Sequence, residues 1–593
     1  MRRLLIPLAV AAAVVAGVAA LAYRSQGPKA DLVWTSGPEV ATLDPGKMTA
    51  LGDHRVAAAL FEGLTVLDPD DLRPRPGVAY RWDISEDRKT YTFHLRPDAR
   101  WSDGRPVTAE DFAWSWRRVL DPRTAADYAY MLYPIRGAKA YFEAAVKDAA
   151  AADWSTVGVR VEGPRRLTVH LAEPTAYFLD LAAFGTYLPV RRDAIEQHGD
   201  RWTFPPNLVS NGAYRLTEWQ FRSRMRWEKN PHYWNAAAVA LERIEVRVFE
   251  HVNTALLAYE TGAVDLTTVV PALARQPLLK ARDTGERRDV HHGEDLGTYF
   301  YRFNCTREPL TDVRVRQALA LALGREPIIE RATRGGERPA TALVPPGMAG
   351  YPGVPGLVED VAQARRLLAE AGHPGGEGIG ELSILVNRGL GHVPVAEMIQ
   401  QQWRERLGLN VRIEQVEWKV FLDMIHKLDY QIARAGWYGD YVDPNTFLDM
   451  FLSGGGNNET GWSNAEYDAL IGAAARETDP AARMAVLARA ERLLLREVPI
   501  MPIYVYTTTM LVRPGLQGVT PNLMNRIDFS RLRWRPRSGR TQARADVGFL
   551  KLLRGGSGDL ATPQAGWHGS PKGGRVGHRV STAAPAGLPC HPR

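Results

Sequence analysis

The sequence predicts a mixed α/β protein in which two α/β portions are interleaved along the chain. A strand–helix–strand unit spans residues 241–268, and a second such unit spans residues 382–416. Two aromatic strands, residues 298–304 and 502–507, are the points where the chain is expected to cross between the portions. With 593 residues, the chain is long enough for two or three domains.

The other elements follow from periodicity, capping and turn residues. Thr108 is followed by acidic residues, which is typical of an N-cap, so a helix is expected from there to Val119. Alternating runs on both sides of Gly163 and Pro164 predict a hairpin over residues 159–171. The remaining expected elements are strands at 32–34, 91–95, 210–216, 225–228 and 430–433 and helices at 54–63, 313–323, 361–371, 421–428, 464–476 and 480–497.

The N-terminal 22 residues carry an export pattern. Arg2 and Arg3 precede an apolar run over residues 4–22, which closes on Ala-Leu-Ala. This pattern is typical of a secretory signal peptide with a small-residue cleavage site. Because the run is just long enough to span a bilayer, an uncleaved N-terminal anchor is the alternative.

Basic charge is concentrated at the C-terminus. Residues 536–593 hold nine Arg or Lys and two Asp, a balance of +7 that equals the formal net charge of the whole chain. The other 535 residues are therefore close to neutral, and no nucleic-acid partner is expected for them. The Gly, Pro, Ala and Ser content of the tail predicts a disordered basic extension, with contact to anionic lipid or nucleic acid as the alternative.

The segment 434–445 is the candidate binding element. It follows a strand-like run and holds two glycines, three aromatic residues and Asp440 within a predicted loop. A carboxylate between aromatic faces and shielded from water attracts an ammonium group strongly, because the effective dielectric constant is low. The alternative is an acidic residue in a solvated turn.

The sequence lacks the motifs of common enzyme classes. It holds no G-x-S-x-G, H-E-x-x-H, C-x-x-C or phosphate-binding G-x-x-x-x-G-K-[ST] pattern. His291 and His292 lie beside two acidic residues, but adjacent side chains of a strand point to opposite faces, which disfavours a shared metal site. We therefore expect no enzyme activity, metal or cofactor. Cys305 and Cys590 lie far apart in the sequence, one of them in the tail, so no structural disulfide is expected.

Motifs spread along the chain resemble one protein family. They are LDP at 43–45, FEGL at 61–64, WSDG at 101–104, AEDF at 109–112, SNGAY at 210–214, NPHYW at 230–234, PLTDVRVRQA at 309–318 and AGWYGD at 435–440. In this order they are similar to the large peptide-binding proteins of bacterial ABC transporters, the family 5 oligopeptide and dipeptide receptors. The similarity covers about residues 33–534, nearly the whole chain before the basic tail.

The resemblance implies a two-lobed α/β periplasmic binding protein fold, with a hinge and an extra domain inserted in the first lobe. The implied ranges are 23–66, 190–301 and 505–535 for lobe I, 67–189 for the inserted domain and 302–504 for lobe II. The implied location is periplasmic, with a tether to the inner membrane if the N-terminal helix is retained. A monomer is expected.

The resemblance also implies a ligand and the residues that bind it. Family members hold an extended peptide between the lobes as an added strand and deliver it to ABC permease subunits. The peptide ammonium is met by an Asp that matches Asp440. The other implied ligand-binding residues are Gly436, Trp437, Tyr438, Leu51, Tyr504 and Tyr506, with Arg434 and His392 where some members receive the peptide carboxylate.

Two departures from the family pattern leave the identity of the ligand open. Thr49 stands near the place where many oligopeptide receptors have an acidic residue, and Ile425 stands where they have an arginine. A receptor of the same fold for a nickel chelate, a sugar or an opine is therefore the alternative. A cell-envelope enzyme or adaptor is the third hypothesis.

Overall fold

The computed structural model describes residues 29–389 and 391–536. The predicted signal peptide or anchor at residues 1–22 lies outside these ranges, as does the basic tail from residue 537 onwards. Within the described ranges, no helix is both long enough and apolar enough to cross a membrane.

The secondary structure alternates strands and helices through most of the chain. The strands are β1 Leu32–Thr35, β2 Thr65–Leu67, β3 Pro74–Pro76, β4 Ala79–Ile84, β5 Thr90–Leu95, β6 Val159–Val161, β7 Arg166–His170, β8 Tyr214–Gln220, β9 Arg224–Lys229, β10 Arg243–Arg247, β11 Leu266–Thr267, β12 Val290–Phe303, β13 Arg338–Pro339, β14 Glu381–Asn387, β15 Asn410–Val416, β16 Ile432–Tyr438, β17 Ile500–Val512, β18 Leu516–Gln517 and β19 Arg533–Trp534. The helices are α1 Leu51–Leu60, α2 Ala109–Val119, α3 Ala138–Lys147, α4 Phe178–Leu181, α5 Arg192–His198, α6 Val252–Glu260, α7 Ala272–Asp283, α8 Val313–Leu321, α9 Glu326–Ile328, α10 Val361–Glu370, α11 His392–Leu407, α12 Trp418–His426, α13 Asn445–Leu448, α14 Ala465–Arg476 and α15 Pro480–Glu497.

One large sheet connects the two α/β portions. Its strand order is β15–β14–β16–β12–β17–β11–β1–β10–β9–β8, with β13 paired to β17. The antiparallel strands β12 and β17, which are 14 and 13 residues long, lie in the middle of the sheet. Because β14–β16 lie on one side of this pair and β1 with β8–β11 on the other, both long strands belong to both portions. These are the strands at which the sequence predicts the two chain crossings.

A second sheet, with the order β4–β5–β7–β6, is antiparallel and packs with α2 and α3 around its own core. Phe93, Trp116 and Tyr187 lie in this core, which we call the inserted-domain core. Tyr441, from the segment after β16, is buried in the same core and stacks on Tyr177, with ring centroids 4.1 Å apart. The residue ranges of the lobes and the inserted domain remain predictions.

The segment predicted as a binding loop begins as a strand. β16 continues to Tyr438, so the predicted loop from residue 434 is wrong, and the loop begins at Gly439. All seven residues of β16 pair with the second half of β12. This long-range pairing overrides the local turn preference of the glycine within the strand.

Helix α1 begins and ends three residues before the predicted range of 54–63. Its N-cap residue, Ala50, has no side-chain hydrogen bond to the first turn, so no local start signal is present in the sequence. Helix α2, in contrast, begins as predicted, because Thr108 and Asp111 form a reciprocal capping box.

Three of the family-like motifs meet at one buried contact. Glu62 of FEGL accepts hydrogen bonds from the Tyr233 hydroxyl at 2.5 Å and the Trp234 indole at 2.7 Å, both in NPHYW. The main chain of Glu62 exchanges two hydrogen bonds with the Asn211 side chain of SNGAY, at 3.0 and 2.8 Å. These motifs therefore fix the chain where it leaves α1.

Candidate functional site

Strand β16 has one edge without a strand partner over most of its length. It pairs with β12 throughout, but on its other side β14 pairs with it only at Ile432 and Ala433. Within the described part of the chain, positions 434–438 have no strand partner on that side. An unpaired edge offers N–H and C=O groups to another extended chain, so a peptide main chain can pair with β16 there.

Asp440 lies two residues beyond the end of β16. Burial raises the pKa of its carboxyl group to about 7, and the nearby Tyr128 hydroxyl limits the rise. Among residues 29–389 and 391–536, no Lys, Arg or His nitrogen lies within 4.0 Å of the Asp440 carboxylate. A half-buried carboxylate without a cation is unfavourable in its charged form, so an ammonium group from a ligand would stabilise it.

A cavity of about 450 Å³ adjoins Asp440. Leu51 and Tyr438, two other residues predicted for the site, also line this cavity. The rest of its wall includes residues of α1, residues 183–185 and 188, and residues 523–527. The cavity therefore lies between the end of β16 and the portion of the protein that contains α1.

Two stacked tyrosines connect this cavity to a second cluster. The rings of Tyr438 and Tyr506 are parallel within 14°, and their centroids are 4.5 Å apart. A β-carbon on Gly436 would lie 2.2 Å from the Tyr506 hydroxyl oxygen, so only glycine leaves room for this ring position.

The second cluster contains Tyr299, Tyr504 and His392. Tyr299 stacks on Tyr504 with centroids 4.7 Å apart, and its hydroxyl is 3.1 Å from Nδ1 of His392, the first residue of α11. Burial and the nearby positive charge of Arg434 lower the pKa of His392 to about 4. The His392 ring is therefore uncharged at neutral pH and is able to hydrogen-bond without adding charge.

Arg434 lies on β16 beside this cluster. Its Nε donates a hydrogen bond to Asn387 at 2.5 Å, and its guanidinium lies 5.2 and 5.1 Å from the ring centroids of Trp418 and Phe421. No carboxylate oxygen of the described residues lies within 4.0 Å of it. Its charge is thus held by aromatic faces and an amide, which leaves it able to pair with an anion.

The segment that follows Asp440 is fixed by a buried ion pair. Arg483 donates to both carboxylate oxygens of Asp443, at 2.6 and 2.9 Å, and these two side chains are 4% and 7% exposed. Asn445 donates a hydrogen bond to Asp449 at 2.9 Å and one to Tyr441 at 3.1 Å. These contacts hold the segment that carries the site carboxylate.

The structure places the predicted site residues in two groups, which the Tyr438–Tyr506 stack joins. The first group is Leu51, Tyr438 and Asp440, and the second is Gly436, Tyr504, Tyr506, His392 and Arg434. Trp437 belongs to neither group, because its half-buried side chain packs against the hydrophobic cluster around Phe300, so its main chain is what it offers a ligand.

Sequence reasoning missed several polar residues of this region, among them Arg55, Tyr128, Asp295 and Arg526. They are spread over more than 450 positions, and none lies in a motif that marks the binding segment. The usable signal is Arg55, which lies on the buried face of α1. Because arginine is rarely buried among apolar residues, its position there indicates a functional or structural role.

The two departures from the family pattern lie in different surroundings. Thr49 lines the cavity. Ile425 is 1% exposed and packs in a hydrophobic cluster with Leu385 and Phe421, so it supplies no polar group to the cavity. In the described residues, no group of three or more His, Cys, Asp or Glu is arranged to hold a metal ion. The His292 ring is instead 3.0 Å from Oγ1 of Thr509.

Comparison with known proteins identifies the family. The family described as bacterial extracellular solute-binding proteins, family 5 Middle, matches residues 73–459. The chain belongs to this family. The family 5 chain is 36% identical over 532 residues to the periplasmic oligopeptide-binding protein OppA of Escherichia coli. The alignment covers 88% of this chain and 96% of OppA.

Solved structures of family 5 relatives share the fold. A periplasmic oligopeptide-binding protein of an oligopeptide ABC transporter from Borrelia burgdorferi aligns with a TM-score of 0.72 at 32% identity, covering 85% of this chain and 100% of that one. OppA of Haemophilus influenzae, in complex with the peptide RPPGFSPFR, aligns with a TM-score of 0.71 at 30% identity, with the same coverage. The family 5 chain thus has the two-lobed α/β fold, and its relatives are binding proteins, not enzymes.

Proposed function

We propose that this family 5 protein binds short peptides between its two lobes outside the cytoplasm and delivers them to the permease subunits of an ABC importer. The observation that carries the proposal is the free edge of β16, which ends beside the half-buried carboxylate of Asp440, a group without a cation partner among the described residues. Main-chain hydrogen bonds would hold an extended peptide, and the carboxylate would pair with its ammonium group. Neither interaction depends on peptide side chains, so broad sequence tolerance is expected.

The far end of the peptide is proposed to lie at Arg434 and His392. β16 rises about 13 Å between Arg434 and Tyr438, at ~3.3 Å per residue, which matches about four residues of extended peptide. Arg434 would pair with the peptide carboxylate, and the neutral His392 would add a hydrogen bond. The walls and backbone contacts are assigned to Leu51, Gly436, Trp437, Tyr438, Tyr504 and Tyr506.

The relatives support this proposal. The relative from Escherichia coli is named as a periplasmic oligopeptide-binding protein, and the one from Haemophilus influenzae was crystallised with a peptide. The export pattern at residues 1–22 supports a location outside the cytoplasm. We also propose that the protein is a monomer and has neither enzymatic activity nor a nucleic-acid partner. Size-exclusion chromatography tests the monomeric state. Recovery of intact peptide after incubation with the protein tests the lack of enzymatic activity.

Isothermal titration of Asp440→Asn tests the carboxylate. With Ala-Ala-Ala, the variant is expected to lose on the order of 2–4 kcal/mol of binding free energy, because the ammonium group loses its buried partner. With N-acetyl-Ala-Ala-Ala, which has no ammonium group, the two proteins are expected to bind equally. Asp423→Asn, which removes an exposed carboxylate paired with Lys427, is the matched control. Equal affinity of wild type and Asp440→Asn for the free peptide would refute the assignment.

Native mass spectrometry of the purified protein separates peptides from other solutes. A peptide receptor is expected to carry a mixture of short peptides, whereas a receptor for a nickel chelate, a sugar or an opine would carry one defined species. The free strand edge favours the first result, because a small chelate has no main chain to pair with it.

A further inference from the structure

The cavity beside Asp440 contains a second charged group without a partner, the guanidinium of Arg526. In the described part of the chain, this guanidinium donates no hydrogen bond and has no carboxylate oxygen within 4.0 Å. Asp180 and Asp528 influence its charge from beyond that distance, and burial lowers the pKa of Arg526. The Arg526 side chain is half-buried, and a guanidinium that is partly removed from water without an ion pair is stabilised when an anion pairs with it.

Arg55 lies on the same wall and faces the same segment. Its Nε donates to the main-chain oxygen of Asn525 at 3.3 Å, and its Nη1 donates to Ser36 and Thr268 at 3.2 and 3.1 Å. These acceptors are all uncharged. Within the described ranges, no carboxylate lies within 4.0 Å of the Arg55 guanidinium, although the charge of Asp295 favours its charged form. Two cavity arginines therefore lack an ion pair.

The remaining polar groups of this wall add no positive charge of their own. Burial and the charge of Arg526 lower the pKa of His54 to about 4, so its imidazole is neutral at pH 7. His54 packs against Phe184, with centroids 5.1 Å apart. The side-chain oxygen of Asn525 is buried and has no hydrogen-bond partner among the described residues.

The other two acidic residues that line the cavity accept hydrogen bonds from uncharged donors. Glu62 accepts two hydrogen bonds from aromatic side chains, and Asp295 accepts one from Thr508 at 2.8 Å. No Lys, Arg or His nitrogen of the described residues lies within 4.0 Å of any of these carboxylates or of Asp440, and Asp440 is the one that adjoins the free edge of β16. The cavity thus presents an unpaired carboxylate and an unpaired guanidinium to one ligand, which is the pattern that a zwitterionic group completes.

We propose that this cavity receives the first side chain of the bound peptide and selects an acidic one, with Arg526 as its partner and Arg55 as a supporting charge. The inference rests on the proposed function, because it needs the peptide ammonium group at Asp440. An aspartate or glutamate at the first position then pairs with Arg526, while a lysine or arginine there faces two like charges.

Tripeptides that differ only in the first side chain test the proposal. Glu-Ala-Ala and Gln-Ala-Ala have nearly the same shape, so their affinity ratio isolates the charge, and Lys-Ala-Ala reverses it. By titration at pH 7, wild type is expected to bind the glutamate peptide about tenfold more tightly than the glutamine peptide, a difference of ~1.4 kcal/mol. The lysine peptide is expected to bind most weakly.

Three variants test whether this preference depends on Arg526. Arg526→Gln is expected to bring the glutamate-to-glutamine ratio close to one while leaving the affinity for Gln-Ala-Ala within about threefold of wild type. Arg531→Gln, on the same segment but in an exposed ion pair, is expected to keep the wild-type ratio. Asp440→Asn is expected to weaken all three peptides without changing their order.

Each outcome separates this inference from the proposed function. If wild type binds none of the three peptides, the proposed function fails. If it binds them with equal affinity for the glutamate and glutamine forms, the function stands and the selectivity inference is overturned. A preference that survives in folded Arg526→Gln also overturns it. If Arg526→Gln does not fold, the relative affinity of wild type for Glu-Ala-Ala and Gln-Ala-Ala decides whether the cavity selects an acidic side chain.

Discussion

Lowering the pH from 7 to 5 is expected to weaken the binding of a free-amine peptide about 50-fold. The pKa of the Asp440 carboxyl group is raised from 3.8 to about 7 by burial, so about half of the unliganded protein has this group charged at pH 7. At pH 5 about 1% of it is charged, which corresponds to ~2.3 kcal/mol of binding free energy. The peptide amine stays protonated over this range, because its pKa is close to 8.

Affinity is expected to fall with the pH because the ligand prefers the ionised form of the Asp440 carboxyl group. An ammonium group stabilises the ionised carboxylate, so the bound state releases the proton that the free state holds, and affinity falls as the pH falls through 7. The groups that act on Asp440 or respond to its charge are Tyr128, Tyr130 and Asp449. The two tyrosines remain protonated throughout. Burial also raises the pKa of Asp449 to about 7, but no ligand contact is assigned to it.

Isothermal titration with Ala-Ala-Ala in two buffers of different ionisation enthalpy measures this proton directly. At pH 7, about half a proton is expected to be released per bound peptide. Asp440→Asn is expected to release none and to show a flat pH profile. A wild-type affinity that changes less than threefold between pH 7 and pH 5 would show that Asp440 does not meet the ammonium group.

Three substitutions test the parts of the site that hold this carboxylate and the strand edge. Gly436→Ala places a methyl group against the Tyr506 hydroxyl, so a loss of about tenfold in peptide affinity is expected by titration, with little change in melting temperature. Arg483→Met leaves Asp443 buried without a cation and is expected to lower the free energy of unfolding by about 3–5 kcal/mol in a denaturant titration; a loss below 1 kcal/mol would contradict the role of this pair. Tyr128→Phe removes the hydroxyl that favours the charged carboxylate, so the midpoint of the pH profile is expected to move upwards, whereas an unchanged midpoint would rule out that contact.

Locally encoded elements were predictable from the sequence. The helix α15 lies at the predicted residues, because Asp479 caps it and a proline occupies its first turn. The capping box of α2 and the hairpin β6–β7 are likewise set by neighbouring residues. The family-like motifs also predicted the two-lobed fold through their resemblance, and three of them meet at the buried Glu62 contact.

The rest of the site depends on contacts between distant segments. Gly436 reads as a turn residue in isolation, but pairing with β12 makes it part of a strand, and its missing side chain leaves room for Tyr506. Helix α1 starts a turn early without a capping side chain. The position of Arg526 beside the cavity is likewise set by the packing of the last described segment against α1, which no local pattern reports.

The placement of Tyr441 has a consequence for how variants of this protein behave. Its ring is packed with Tyr177 inside the inserted-domain core, yet it directly follows the residue proposed to meet the peptide amine. A substitution that loosens the small sheet, such as one that makes a cavity at Phe93, is therefore expected to alter the position of Asp440 through this shared core. Libraries of variants screened for altered peptide uptake should therefore yield substitutions in the inserted-domain core, to which no ligand contact is assigned.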